Sequence, residues 1–289
     1  MSLPVTAAPA KELSESQWKA LVNLLGDDDP AIYQTVRDKI LTFEEAGEWL
    51  RPHRLSNDPV LRRRASEIVR HFDRQEADTW FLAFCLKHGE EFDLEEGIWL
   101  LALTQYPDIN VEGYRALLDD IAGELRERID FTESDKAVLS TINNYVFDEL
   151  GFTGDEESYY DPQNSYLNRV IDRRKGNPIN LSLLYLLLAR RLELPVAGIG
   201  LPGHFVCRYQ STSAEIYLDA FHHGKFLTKA DCIQYLVSGS HGLQDEFLSP
   251  VSTRRMLMRI CSNLHQIYGQ MELSEETTRL QRYLVALAR

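Results

Sequence analysis

Two side chains in the second half of the sequence have the types and spacing for acid–base chemistry, the imidazole of His204 and the carboxylate of Asp219. The sequence period changes after Pro195, and residues 196–209 and 215–221 are predicted to be strands, with Phe205, Cys207 and Tyr209 on one face and His204, Val206 and Arg208 on the other. A turn of two or four loop residues would place His204 directly across from Asp219, where Cβ atoms lie about 4.5 to 5.5 Å apart. A three-residue turn would send Asp219 to the other face. In the favoured registers the carboxylate could orient the imidazole as a base.

A buried helix is predicted just before the first of these strands. Gly176-Asn177-Pro178 offers an Asn at the N-cap and a Pro at the first helical position. Residues 179–189 are apolar almost all round, which is typical of a helix buried on most sides. Thiol hydrolases and acyltransferases use the same order of elements: the start of a helix, then a strand that carries a histidine, then a strand that carries an aspartate. In these enzymes the first helical turn lowers the pKa of a cysteine.

Short motifs around these elements resemble one protein family. The motifs are Tyr166-Leu167-Asn168, Arg173-Arg174-Lys175-Gly176-Asn177-Pro178-Ile179, Leu201-Pro202-Gly203-His204-Phe205 and Asp219-Ala220-Phe221. Together they resemble the bacterial SirB-type proteins of the transglutaminase-like superfamily, which join a divergent transglutaminase-like domain to a tetratricopeptide-type (TPR) helical tail. The resemblance covers about half of the chain, from about residue 136 to the end. It implies a papain-like α+β fold with His204 and Asp219 at the positions of the superfamily's catalytic histidine and aspartate.

The nucleophilic cysteine of that superfamily is missing. The resemblance puts its place at Asn180 or at the neighbouring Ile179, and neither side chain can attack a carbonyl. Ser182 lies about 200° around the helix from Asn180, and Cys207 is predicted on the opposite strand face from His204. The other cysteines are scattered along the sequence: Cys85, Cys232 and Cys261. A thiol found beside the imidazole would overturn the interpretation of a lost nucleophile.

Two interpretations of these residues stay open. His204 and Asp219 are either a catalytic or ligand-binding pair or a structural ion pair that fixes two strands, and the missing thiol favours the second. Asn180 either helps to bind an acyl or amide ligand or satisfies the backbone of the first helical turn, and we favour the latter. If the site is a remnant of an active centre, the three side chains should converge on one face within hydrogen-bonding distance.

The preceding part of the chain is predicted to be helical. Ser14 is a candidate N-cap, and residues 25–30 are echoed by residues 55–59, each followed by a helical pattern. No strand is predicted before residue 195. The predicted fold class is α+β. The predicted layout is a flexible tail (1–12), an all-helical domain (13–135), a transglutaminase-like domain (136–250) and a short TPR-like helical tail (251–289).

The charge distribution disfavours nucleic acid as a partner. The net charge is −13, and residues 1–150 contain 30 acidic and 16 basic side chains, whereas residues 151–289 contain 14 and 15. Phosphate binding requires clustered Lys and Arg, and the short basic runs 62–64 and 173–175 are predicted to be solvated helix faces. No stretch has the ~20 apolar residues of a membrane helix. The four cysteines form no CxxC pair, so a cytoplasmic, reducing setting is expected.

No cofactor and no metal ion are predicted. The sequence contains no glycine-rich phosphate-binding motif. Possible metal ligands are His222, His223, Asp231, Cys232 and His241. Their spacing is looser than the paired spacing of zinc sites, so a metal centre is disfavoured.

These observations favour a pseudoenzyme. The preferred interpretation is a non-catalytic transglutaminase-like protein that acts as a protein-interaction or regulatory module for a protein partner. The alternative is a residual hydrolase or acyltransferase in which His204, paired with Asp219, acts as a general base without a thiol nucleophile. Whether the chain is an enzyme is left open by the sequence.

Overall fold

The computed structural model describes residues 13–87, 89, 92–239 and 245–289, and the predicted tail 1–12 lies outside the described residues. The helices are α1 (Glu15–Leu25), α2 (Pro30–Ile40), α3 (Ala46–Leu50), α4 (Pro59–Lys87), α5 (Leu94–Leu103), α6 (Val111–Arg128), α7 (Asp135–Asn143), α8 (Leu167–Arg173), α9 (Pro178–Arg191), α10 (Lys229–Ser238), α11 (Thr253–Gln270) and α12 (Ser274–Leu287). The strands are β1 (Thr153–Gly154), β2 (Lys175–Gly176), β3 (Val196–Ile199), β4 (Val206–Gln210), β5 (Glu215–Asp219) and β6 (Lys225–Leu227). None of the described helices has the length and apolar character needed to cross a membrane.

The chain divides into two compact units, the first ending at Ala77 and the second beginning at Asp78. In the first unit, Ser14 caps α1 through a reciprocal capping box, as the sequence predicts. The core of this unit is built from apolar side chains of its helices and connecting segments: Trp18, Val22, Leu25, Val36, Ile40, Phe43, Ala46, Leu50, Ala65, Ile68 and Val69. The described residues of this unit form helices and turns and contain no strand.

The second unit is built around α9. Nearly all of its residues before Arg190 are buried, which confirms the predicted central helix. Asn177 is its N-cap and accepts a hydrogen bond from the Asn180 N–H, and Pro178 occupies the first helical position. Side chains of α11 and α12 belong to the same hydrophobic core as α9. The domain boundaries at 135/136 and 250/251 stay predictions.

The antiparallel sheet has the order β3-β4-β5-β6. Phe205, Cys207 and Tyr209 join the core that contains α9, whereas Val206 packs in a separate cluster with side chains of α10 such as Leu236. This alternation confirms the predicted faces. One unbroken strand over 196–209 is wrong, because residues 200–205 form a loop between β3 and β4.

Two further expectations are corrected. Strands do occur before residue 195, because β1 and β2 form a parallel pair of two residues each, too short to leave an alternating pattern. Nor are the basic runs wholly solvated. Arg64 is buried and donates to the Leu25 carbonyl at 2.9 Å, and Arg173 forms ion pairs with Asp155 and Asp161 at 3.2 and 3.1 Å. A long guanidinium side chain can bury its stem while its head finds oxygen partners.

The described residues thus combine many helices with one four-stranded antiparallel sheet. This composition agrees with the predicted α+β class. The sheet and the start of α9 are the two elements that position the predicted site.

Candidate functional site

His204 lies in the loop that connects β3 to β4. Gly203, immediately before it, has a φ of +75°, a backbone conformation that glycine adopts without the steric cost of a Cβ atom. The His204 N–H donates to the Leu201 carbonyl at 3.1 Å, which closes a tight turn. The histidine therefore extends from a shaped loop and not from the strand that the alternating pattern predicts.

Asp219 is the last residue of β5, and its Oδ2 lies 2.7 Å from the His204 Nε2. The predicted direct pairing of the two residues is wrong: Cys207 pairs with Leu218 and Gln210 with Glu215, which shifts the register by two. A shift of two keeps the same face, because side chains alternate with a period of two. The sequence thus predicts the correct side of the sheet for both residues but not the geometry of their contact.

His222, which the sequence suggested only as a possible metal ligand, is a third member of this cluster, and its contact with Asp219 was not predicted. Its Nδ1 lies 2.8 Å from the same Oδ2 of Asp219. Oδ1 of Asp219 accepts the backbone N–H groups of Phe221 and His222 at 3.1 and 3.3 Å. The signal in the sequence is the three-residue spacing from Asp219, which a single helical turn after the strand brings to one side.

The environment favours an ionised Asp219. Burial of the carboxyl group opposes ionisation, but the hydrogen bonds and charges of His204, and then of His222, outweigh burial and place the pKa of Asp219 below its usual value. The side chains of His204 and Asp219 are 14% and 8% exposed, whereas that of His222 is 52% exposed. The cluster is therefore reached from solvent through His222. In the tautomer of His204 whose Nε2–H donates to Asp219, Nδ1 carries a lone pair and can accept a proton.

The cluster also has the donor set of a metal site. One nitrogen of each histidine and one oxygen of Asp219 all lie within 4.8 Å of one another. Two imidazoles and one carboxylate are ligands that zinc and non-haem iron use in proteins, so these three could hold such an ion. The other possible ligands named from the sequence lie elsewhere: His223 contacts the Thr153 hydroxyl at 3.1 Å, Asp231 completes the capping box of α10 by accepting from the Thr228 N–H, and His241 lies outside the described residues.

A cleft of about 330 Å³ opens beside His204. Asn177, Pro178 and Ile179 line it from the start of α9, and Arg259 lines it from α11. The cleft is therefore formed where the first helical turn meets the histidine loop. This is the place at which the implied chemistry would require a nucleophile.

Asn180 does not line this cleft and is completely buried. Its Nδ2 donates to Oδ1 of Asn177 at 3.1 Å, and its Oδ1 has no hydrogen-bond partner among the described residues. No hydrogen bond joins Asn180 to His204 or Asp219 in the described part of the chain. Of the three side chains expected to converge, only His204 and Asp219 are within hydrogen-bonding distance of each other. Of the two positions implied for the nucleophile, Ile179 is the one that faces the cleft. The role of Asn180 stays a prediction.

The four cysteines are buried free thiols. Burial raises the pKa of Cys85 and of Cys207 to about 12, and it raises that of Cys261 well above its usual value. Such thiols are protonated near neutral pH and are poor nucleophiles.

Cys232 stands apart from the other cysteines because of its location. It lines a second cavity of about 320 Å³ together with His204, Asp219 and His222. Burial, followed by the negative charges of Asp231, Asp219 and Glu215, raises the pKa of Cys232 to about 11. No sequence pattern indicated this proximity, which arises because α10 packs on the outer face of the sheet.

Known proteins are similar to this chain over part of its length. The UPF0162 protein of Xylella fastidiosa strain Temecula1 is 32% identical over 186 residues, which cover 62% of this chain and 66% of the relative. The UPF0162 protein of strain 9a5c is 33% identical over 177 residues, with coverages of 59% and 63%. F-box only protein 21 of Mus musculus is 36% identical over 159 residues, with coverages of 52% and 25%.

The chain thus spans slightly less than two thirds of the Xylella relatives and about a quarter of the mouse protein. No solved structure matches the chain. The sequence profile of the transglutaminase-like superfamily matches residues 112–262, just over half of the chain, and includes the whole His204–Asp219–His222 cluster. The chain belongs to the transglutaminase-like superfamily.

Proposed function

We propose that this protein is a non-catalytic, SirB-type member of the superfamily that acts as a protein-interaction or regulatory module. The observation that carries the proposal is the composition of the cleft beside His204. The start of α9 presents Asn177, Pro178 and Ile179 to it, and none of these side chains can form a covalent acyl intermediate. The imidazole and its carboxylate partner are retained, but the atom that they would activate is absent from this wall.

Hydroxyl groups in the cleft do not replace the thiol. Tyr159 and Tyr160 contribute the phenols of the lining. Burial raises the pKa of Tyr159, so this phenol stays protonated at neutral pH and serves as a hydrogen-bond donor. Acyl transfer by a nucleophile requires a deprotonated or base-activated attacking atom. The cleft therefore has the properties of a recognition pocket.

The comparisons agree with a module that functions in different contexts. The segment shared with F-box only protein 21 accounts for 25% of that protein, so a similar domain occurs within a much longer chain. We propose that the partner is a protein, because the acidic first half of this chain disfavours nucleic acid. A cytoplasmic location is part of the same proposal.

Two measurements test the proposal. Purified protein should hydrolyse or transamidate peptide, ester and glutamine-amide substrates no faster than the His204→Ala variant or buffer does. A photo-crosslinking residue in place of Tyr160, which is exposed and lines the cleft, should label one defined partner in the native cell, whereas the same residue in place of Phe131, which is exposed but outside the lining, should not. Turnover that depends on His204, or equal labelling from both positions, would contradict a non-catalytic module.

One observation favours a second candidate, a residual hydrolase or acyltransferase. Cys232 lines the second cavity with His204 and Asp219, so a thiol shares a cavity with the pair, although no hydrogen bond joins it to the imidazole among the described residues. Its raised pKa, about 11, is the opposite of what an activated cysteine requires, which is why we rank this candidate second. Activity that disappears in Cys232→Ser and in His204→Ala would establish a thiol enzyme, and activity lost only in His204→Ala would indicate a general base acting on water.

A further inference from the structure

The guanidinium of Arg259 is held rigidly at the edge of the cleft. Its Nη2 donates to the carbonyls of Leu201 and His204 at 2.6 and 2.7 Å. The group also lies over the ring of Phe205, 5.5 Å from its centroid. Arg259 therefore fixes the histidine loop and places a positive charge at a defined point in the lining.

This charge has no carboxylate partner among the described residues. Arg191, another partly buried arginine of the unit, is paired with carboxylates: it forms ion pairs with Glu95 at 2.9 Å and Asp119 at 2.6 Å. Arg254, on the same helix, uses Nε, Nη1 and Nη2 to reach backbone carbonyls. Arg259 uses only Nη2, and its Nε and Nη1 have no hydrogen-bond partner within the described ranges.

The lining also contains neutral amide and phenol groups. Asn263 and Gln266 follow Arg259 on α11 at intervals that place all three on one helix face. Their amides, with the phenol of Tyr160, can donate hydrogen bonds. A cation with free donors, surrounded by neutral donors in a partly enclosed cavity, attracts anions more strongly than it would in open water.

We propose that the cleft beside His204 binds an anionic group, a carboxylate or a phosphoryl group, through Arg259 with help from Asn263 and Gln266. The cavity of about 330 Å³ is at the lower end of the size of ligand pockets and suits one side chain, a peptide end or a single phosphorylated residue. The inference rests on the proposed function, because it names the ligand class of the same recognition pocket.

The direct test is calorimetric titration of the full chain at low salt with three α-amides: those of N-acetylglutamate, of N-acetyl-O-phosphoserine and of N-acetylglutamine, the last of which is neutral. We expect the two anionic probes to bind at least about tenfold more tightly than the neutral N-acetylglutamine amide, with affinity decreasing as salt increases. The tighter of the two anionic probes identifies the carboxylate or the phosphoryl group as the natural ligand.

Variants locate the binding in this cleft. Arg259→Met could disturb the histidine loop, so the informative change is Gln266→Glu, which adds a carboxylate to the cleft and leaves Arg259 in place. We expect it to weaken binding of the anionic probes at least about tenfold, since the new charge competes for the cation. Gln281→Glu, exposed on α12, changes the net charge equally and should leave affinity unchanged.

The proposal is overturned if the neutral N-acetylglutamine amide binds as tightly as the N-acetylglutamate amide, if no anionic probe binds at millimolar concentration, or if the two Glu variants behave alike. These outcomes are separate from failure of the proposed function. Substrate turnover would disprove a non-catalytic module and leave anion binding intact. If no anionic probe binds, the proposed ligand class is wrong, but the proposal of a non-catalytic module still stands, because that proposal depends on the missing nucleophile.

Discussion

Replacing Asp219 should measure how far the cluster stabilises the fold. In Asp219→Ala, the N–H groups of Phe221 and His222 lose their acceptor, and both imidazoles lose the carboxylate between them. Leaving buried donors unsatisfied costs about 1 to 3 kcal/mol, and hydrogen bonds to a charged group contribute about 1.5 to 3 kcal/mol each. Because these contributions share one carboxylate and are not additive, we expect unfolding free energy to fall by about 3 kcal/mol.

Asp219→Asn should cost less, about 1 to 2 kcal/mol, because its remaining oxygen can still accept the two backbone N–H groups. The pH dependence has a definite sign. The pKa of Asp219 is lower in the folded protein than its usual value of about 3.9, so its contribution is complete above about pH 5. It is lost as the pH falls through 4 and below, since the unfolded chain then takes up the proton first.

Urea denaturation of wild type and both variants at pH 7, 5 and 3.5 tests these values. The difference between wild type and Asp219→Asn should be largest at pH 7 and should shrink at pH 3.5. Asp148→Asn, an exposed position, should stay within about 0.5 kcal/mol of wild type at neutral pH. A negligible loss in Asp219→Ala, or a difference that grows on acidification, would refute the assignment of Asp219 as the ionised centre of the cluster.

Three further predictions concern local packing and access. Arg64→Ala should lower the free energy of unfolding by about 2 kcal/mol, because it removes the buried guanidinium that donates to the carbonyl at the end of α1. A loss below about 0.5 kcal/mol in urea denaturation, which is the range of ordinary surface substitutions, would contradict this. Gly224→Ala should destabilise the protein by about 2 kcal/mol or more, since φ is +68° and a Cβ would lie 2.5 Å from a neighbouring side chain. Gly123→Ala, with open space around it, should instead stabilise α6 by about 0.5 to 1 kcal/mol. Thermal or urea unfolding of both variants distinguishes the two signs. Ile179→Cys should react with iodoacetamide at pH 7 at least about tenfold faster than Asn180→Cys, because position 179 faces the cleft at a helix start, and equal rates would mean that position 180 is as accessible as position 179.

Local rules were sufficient for several elements. The start of α9 follows from an Asn at the N-cap and a Pro at the first turn, both of which act within a few residues of chain. The faces of β4 follow from alternation, which requires only the period of a strand. The same period placed His204 and Asp219 on one side of the sheet although the register was shifted by two.

Contacts between distant segments could not be predicted from these local rules. The loop that carries His204 depends on a glycine in the left-handed region and on Arg259, 55 residues later, which holds its carbonyls. Cys232 reaches the second cavity because α10 packs against the sheet. Neither arrangement has a repeating pattern that sequence reading could detect.

The sequence by itself determined that a buried helix precedes an imidazole and a carboxylate on one sheet face, and that no cysteine occupies the start of that helix. Tertiary structure decided that Ile179, and not Asn180, faces the cleft and that His222 joins the cluster. It also placed Arg259, which has no carboxylate partner in the described part of the chain, in the lining of the cleft. The physical reason is range: capping and strand periodicity act over a few residues, whereas the composition of a cavity depends on how whole elements pack together.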